Sequence, residues 1–356
     1  MFTGKSKQAL MSVTIVLGVA LSGSSAVFAQ NITHTSSENK PVAKAVRASV
    51  LPSSDILIGA AASPFMGNEM VLMKPVHDKA TIKIPLHVSA AGFQLAIDGN
   101  KAYVPTMSGK TFVINLTTHR VMSSFTSPKG ARIASIAKNH QLILTGNSSV
   151  TAYSLPSLKK AWQLQIGGNA LAIVGNTGYL SGNNMKTTEM INLSTGRKMG
   201  SIPVGMIEDS VYDPQHHTLW LANWGNGDMT IVNTTTNKIV KVIQKQEGGG
   251  YSMNEMNNMM MATSGYMQMA VGPHGNNIYV ASFSSNIMDF NAIKNTFKKD
   301  IPTIPMANLS GLAVDPSGQY AYTTVDNMNE TIAVSLKSGK VVATYSGIKS
   351  YRWFVI

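Results

Sequence analysis

From about Asp55 to the C-terminus, apolar and polar residues alternate in short runs, the period-two pattern of half-buried strands rather than a helical stripe. Between the runs stand DGN, DPSG and NTTTNK, segments built from the residues that tight turns need. Strand and turn recur as one larger unit. It is seen by comparing AIDGNKAYVPTMSGKTFVINLTTHRVMSSF with YDPQHHTLWLANWGNGDMTIVNTTTNKIVKVI and VDPSGQYAYTTVDNMNETIAVSLKSGKVVATY. Aligning the second strand of each unit gives Leu57, Tyr103, Ile143, Tyr179, Trp220, Tyr279 and Tyr322, with spacings of 46, 40, 36, 41, 59 and 43 residues. Such spacings fit four strands of about five residues with their turns. The pattern predicts an all-β, seven-bladed beta-propeller of four-stranded antiparallel blades over residues 55–356, because strands this short bury both faces only by stacking sheet on sheet.

The ends of the repeat are complementary. DILIGA opens the first unit at its second strand, and the final YRWFVI is a first strand with no second strand after it. The C-terminal strand is therefore expected to complete the first blade as its inner strand, which removes an open edge. The spacing of 59 residues between Trp220 and Tyr279 exceeds its neighbours and places an insert at about 245–266. In a propeller, second-to-third-strand loops and blade-to-blade loops emerge on one face, the top, and the insert belongs there.

Ahead of the repeats, Lys5 and Lys7 precede the apolar run ALMSVTIVLGVAL, and VFA ends at Ala29: the pattern of a signal peptide over residues 1–29. An uncleaved anchor is the alternative, although the run is shorter than the about 20 residues a spanning helix needs. Residues 30–54 are polar and aperiodic, a flexible lead. The mature chain is expected to be periplasmic or secreted, monomeric and without a transmembrane span. The sequence contains no cysteine, which excludes disulfides, thiolate zinc sites, CxxCH haem attachment and cysteine nucleophiles. The formal charge of +12 favours anionic partners, yet the lysines are scattered along the chain and no specific nucleic-acid motif is present.

The repeats resemble the YVTN family of beta-propellers, which includes YncE-like exported bacterial proteins. The resemblance is carried by LWLANWGNGDMTIVNTTTNKIVKVI, IPVGMIEDSVYDPQHHTLWLAN and GLAVDPSGQYAYTTVDNMNETIAVSLKSGKVVATY. It implies the propeller fold and a setting outside the cytoplasm; it does not imply a chemistry, since propellers host many functions.

Candidate chemistry centres on methionine. MNEMNNMMMATSGYMQM, residues 253–269, holds seven of the chain's 22 methionines. Met66, Met107, Met185 and Met328 fall in second-to-third-strand loops, and Met206 and Met306 at blade connections, so all six join the insert on the top face. Thioethers are soft donors that suit Cu(I) or Ag(I), which makes Met253, Met256, Met259, Met260, Met261 and Met267 candidate metal ligands. Methionine also fills irregular hollows and adaptable binding surfaces. Asn223, Trp224 and Asn226 in ANWGNGD are expected at the rim, open to a small ligand or an envelope-protein partner. Glu208 and Asp209 interrupt the apolar pattern of an inner strand and are expected to face the channel. They are the better placed of the acids Glu208, Asp209, Glu255 and Glu330 for an alternative lactonase-like or quinoprotein-like enzyme. No G-x-S-x-G, H-E-x-x-H or P-loop motif occurs. The histidines and Asp98, Asp213 and Asp315 read as turn residues.

Overall fold

The computed structural model describes residues 51–61, 68–76, 81–182, 184–244, 246 and 265–356. The expected leader, residues 30–50 of the expected lead, Met66, His77, Glu255 and the candidate ligands Met253, Met256, Met259, Met260 and Met261 lie outside them.

Seven antiparallel four-stranded sheets are arranged as blades. The inner strands of blades 2 to 7 are Ala96–Asp98, Ala131–Ala137, Ala170–Val174, Ile207–Asp213, Tyr266–Val271 and Leu309–Val314. All seven sequence anchors fall on second strands and are at most 8 % exposed. The reason lies in stacking. Middle strands are covered on both faces by neighbouring blades, so they read as nearly continuous apolar runs such as TLWLAN (Thr218–Asn223). Outer strands have solvent beyond their free edge, and KIVKVI (Lys238–Ile243) is exposed at every residue but the last. This position also separates the strand methionines: Met229 and Met288, on third strands, are fully buried, whereas Met122 and Met199, on outer strands, are 53 % and 50 % exposed instead of packed as their apolar character suggests.

Each apolar cluster bridges two adjacent blades. Trp220 and Ile231 of blade 5, for example, pack with Tyr266 and Phe290 of blade 6. Closure follows the same rule. Phe354 and Ile58 of blade 1 pack with Ile97 of blade 2, while Trp353 packs with Tyr322 and Tyr345 of blade 7. The strand Trp353–Val355 is the inner strand of blade 1, pairing Leu57 with Val355, Ile58 with Phe354 and Gly59 with Trp353. Ile56 and Ile356 exchange backbone hydrogen bonds of 3.0 Å in both directions.

A polar latch secures this strand. The Thr324 hydroxyl donates to the Ser350 carbonyl at 2.7 Å and accepts from the Trp353 indole N–H at 3.0 Å. Ser350 Oγ donates to the Ala60 carbonyl at 2.9 Å. Gly59 leaves room for it, since a Cβ there would lie 2.3 Å from Ser350 Oγ. The packed ring begins slightly earlier than the pattern suggests: Leu51 is already buried between blades 1 and 7. Beside it the Tyr322 hydroxyl donates to buried Asp55 at 2.8 Å.

The turn readings agree with the backbone. His87, His119, His140 and His217 take left-handed φ of 51° to 56°. Asp213 accepts from the Gln215 amide and Asp315 from the Tyr320 amide, at 3.0 and 2.7 Å.

Candidate functional site

At or close to the start of each inner strand stands a polar side chain, and Gln94, Asn169, Glu208, Gln268 and Tyr351 line the space where the strands converge. Glu208 and Asp209 of blade 5 do face this space, but neither carboxylate is alone there. The Tyr351 hydroxyl, reaching across from blade 1, donates to Glu208 Oε1 at 3.1 Å. Arg352 forms an ion pair with Asp209, whose Oδ2 also accepts the Met269 amide at 2.7 Å. Asn169 of blade 4 donates to the Glu208 carbonyl at 3.3 Å. With its carboxamide turned so that the nitrogen faces them, Gln268 of blade 6 donates to the Tyr351 and Ser310 carbonyls at 3.0 and 2.6 Å. Phe93 of blade 2 stacks on Tyr351 with centroids 4.3 Å apart, and the Arg132 guanidinium of blade 3 lies 5.1 Å from the centre of the Phe93 ring.

Burial pushes the Tyr351 hydroxyl well above the usual phenol range, and the negative charge of Glu208 adds to the effect, so Tyr351 stays a donor. Burial lowers the affinity of Arg132 for its proton, and the negative charge of Glu208 opposes this. What space remains between Phe93, Asn169, Glu208, Gln268, Tyr351 and Arg352 is about 10 Å³, room for about one water.

Nearby, half-buried Asp326 in the loop between the second and third strands of blade 7 is pushed up to about 6 by burial, an effect that the Ser310 hydroxyl and the Lys349 charge partly offset. Its pKa is higher folded than unfolded, so the folded state binds the extra proton. The associated stability is therefore present below pH about 4 and lost as pH rises through about 6. The melting temperature is expected to fall between pH 4.5 and 6.5, and Asp326→Asn to flatten that part of the profile; an unchanged slope in thermal melts across this window rejects the assignment.

A second feature lies on the top rim between blades 4 and 5. A depression of about 510 Å³ is lined by Asn184, Met185, Lys186, Gly205, Met206 and Asn223. Three of the expected rim residues thus meet here. Asn223 shapes the wall: its Oδ1 accepts the Gly225 and Asn226 amides at 2.9 Å, and its Nδ2 donates to the Gly205 carbonyl at 2.8 Å. Asn226 is exposed and turned to Asp228, donating at 2.7 Å. Trp224 is tied through its amide to the Met206 carbonyl at 2.7 Å. Met206 is 40 % exposed at φ 56°, and Gly225 gives it room, since a Cβ at residue 225 would lie 2.5 Å from the Met206 methyl.

Among the described residues, the other methionines expected at the rim do not line this depression. Met306 and Met328, 84 % and 40 % exposed, stand on blades 6 and 7 at the same face, and half-buried Met107 stands on blade 2. Met267 follows the expected insert directly and lies within a strand. The inner strand of blade 6 already begins at Tyr266, and Met267 is 2 % exposed, packed with Ala307 and Leu309 of the neighbouring connection and blade.

Sequence reasoning missed Phe93, Arg132, Gln268, Tyr351 and Arg352. The signal was present: aligning the inner strands, as the second strands were aligned, puts Gln94, Arg132, Asn169, Glu208, Gln268, Ser310 and Tyr351 at the same entry point before the apolar alternation.

No protein-family model matches the chain, and no curated protein matches it. Among solved structures, 1723 chains match, so likeness at this level is too widespread to carry a function. One is the hydrazine synthase of Kuenenia stuttgartiensis, 14 % identical, with a TM-score of 0.59 over 69 % of this chain and 77 % of that chain. At that identity the comparison supports the fold alone: this chain is a seven-bladed beta-propeller with a filled channel mouth and an open, methionine-lined rim.

Proposed function

We propose that this protein is an exported, non-enzymatic binding propeller of the YVTN-repeat, YncE-like kind, which holds a small ligand or an envelope-protein partner on its top rim. The observation that carries the reading is the contrast between the two sites. The channel mouth has space for about one water and its acids are engaged by Arg352, Tyr351 and backbone amides. A lactonase-like or quinoprotein-like enzyme acting there needs a free base or metal-bound water with room for substrate beside it. The rim depression, at about 510 Å³, lies in the range of small-molecule sites, and Met185 and Met206 offer it two adaptable, polarizable side chains.

In its more specific form the reading includes Cu(I) or Ag(I), which thioethers bind without losing a proton. The methionine-rich insert leaves blade 5 after Ile243 and returns to blade 6 at Tyr266, on the face that bears Met206. Titration against a competing Cu(I) chelator tests this form. Saturable binding is expected to weaken at least about tenfold when Met253, Met256, Met259, Met260 and Met261 become leucine, which keeps apolar bulk and removes the donors. Absence of saturable binding, or equal affinity in the variant, removes copper and leaves the organic or protein partner. Hydrolysis of a small lactone that disappears in Glu208→Gln overturns the non-enzymatic reading itself.

A further inference from the structure

The chain carries 29 Lys and Arg against 17 Asp and Glu. Scattered along the sequence, many of the bases are brought to one face by the ring. In blades 2 to 7 the turn from third to outer strand lies at the end opposite the methionine rim, at residues 115–120, 154–159, 192–197, 233–238, 291–296 and 335–340. These turns contribute Arg120, Lys159, Arg197, Lys238, Lys294 and Lys337, all exposed, and contain no Asp or Glu. Lys101 and Lys138 add to the same face from first-to-second-strand turns, where Asp213 and Asp315 are fully buried in hydrogen bonds to their own turns and Asp98 is half-buried. Carboxylates gather at the other end, with Glu69, Glu189, Asp228, Asp326 and Glu330 at the top of third strands or in the loops before them.

One bland account is that lysines on an outer strand guard a free edge against pairing with another sheet. It covers Arg120, Lys159, Arg197 and Lys238, which open outer strands, and Lys241 and Lys299 within them. It does not cover Lys138, Lys294 and Lys337, which sit in turns with no edge to guard. Beside these bases stand exposed apolar side chains: Val121, Met122, Met199, Ile239, Val240 and Ile293, the last 59 % exposed.

We propose that this basic face docks on an anionic lipid bilayer, with the turn lysines and arginines on headgroups and the neighbouring aliphatic side chains at the acyl boundary. The bases stand at six points around a ring, which matches a flat sheet of negative charge; a duplex is met by a stripe along one element. Single strands are held on aromatic platforms, whereas the large exposed apolar side chains of this face, among the described residues, are aliphatic or methionine. Interleaved cationic and aliphatic residues are the composition of surface-bound amphipathic elements, and each base near an anionic leaflet adds to binding.

Co-sedimentation of the full chain with vesicles tests the proposal, comparing phosphatidylcholine alone with phosphatidylcholine mixed with phosphatidylglycerol. Binding is expected only with the anionic lipid, and to weaken with added salt. Lys159→Glu with Lys238→Glu is expected to lower affinity at least about tenfold. Lys110→Glu with Lys129→Glu makes the same charge change on the opposite face and is expected to bind like the parent. Because the chain has no cysteine, Met199→Cys and Lys129→Cys each accept a single environment-sensitive fluorophore, which keeps the test open if a charge variant fails to fold. The label at residue 199 is expected to shift to the blue on vesicles and that at 129 to stay unchanged. No binding to anionic vesicles, equal losses in the two charge variants, equal shifts at the two labels, or tighter binding of an oligonucleotide than of vesicles each overturns it.

Discussion

Removal of residues 351–356 is expected to lower the melting temperature by more than about 10 °C, since a shift of about 2–4 °C accompanies each kcal/mol even in domains of about 150–250 residues. The segment does three jobs at once. It supplies the inner strand of blade 1, whose loss bares the Leu57–Ala61 edge. It supplies Trp353, 2 % exposed between blades 1 and 7, a type of side chain whose truncation costs about 3–5 kcal/mol. It also supplies Tyr351 and Arg352, and without them Glu208 and Asp209 lose their cross-channel partners. These losses share a site and do not simply add, but any two of them are a large share of a net stability of about 5–15 kcal/mol. Thermal melting and size-exclusion chromatography read the outcome: a lower transition and self-association through the bared edge. A truncated chain that melts within about 2 °C of the parent and stays monodisperse contradicts the closure described here. Trp353→Ala, which keeps the backbone pairing, is expected to fall between the two.

Asp209→Ala is the second large effect, with an expected cost of about 3–5 kcal/mol, the usual result of leaving one member of a buried ion pair behind. Asp209 and Arg352 are mostly buried, with side chains 6 % and 17 % exposed, and the Met269 amide loses its acceptor in the same step. Asp209→Leu combined with Arg352→Met removes both charges and keeps volume, so the double variant is expected to be more stable than Asp209→Ala. Urea denaturation of the single and double variants checks this. A single variant within about 0.5 kcal/mol of the parent, the range of ordinary surface substitutions, rejects a structural role for the pair.

The fold was legible because it rests on period and repetition. The alternation of strands, the seven second-strand anchors and the orphan YRWFVI each follow from short sheets that must cover one another, and those constraints are local in sequence. The channel mouth was half legible. Glu208 and Asp209 stood out as charges in an apolar strand, whereas their partners Tyr351 and Arg352 lie in a hexapeptide whose apolar half drew attention to strand closure. A carboxylate in isolation suggests chemistry; the same carboxylate with an arginine more than a hundred residues away is a strut, and that pairing is a property of the ring. The charge pattern was hidden for a similar reason. Bases spaced by one blade look random in one dimension, and only the hairpin geometry brings them to a single face.

The hydrogen-bonded pairing of Ile56 with Ile356 also sets how the molecule is mounted. The last strand runs from Tyr351 at the channel mouth to Ile356 at the far end, so the chain joins the ring at Ile56 on the basic side. Any tether attached ahead of that point pulls on the same face that the turn lysines occupy. A tether there would leave the methionine rim on the face turned away from it.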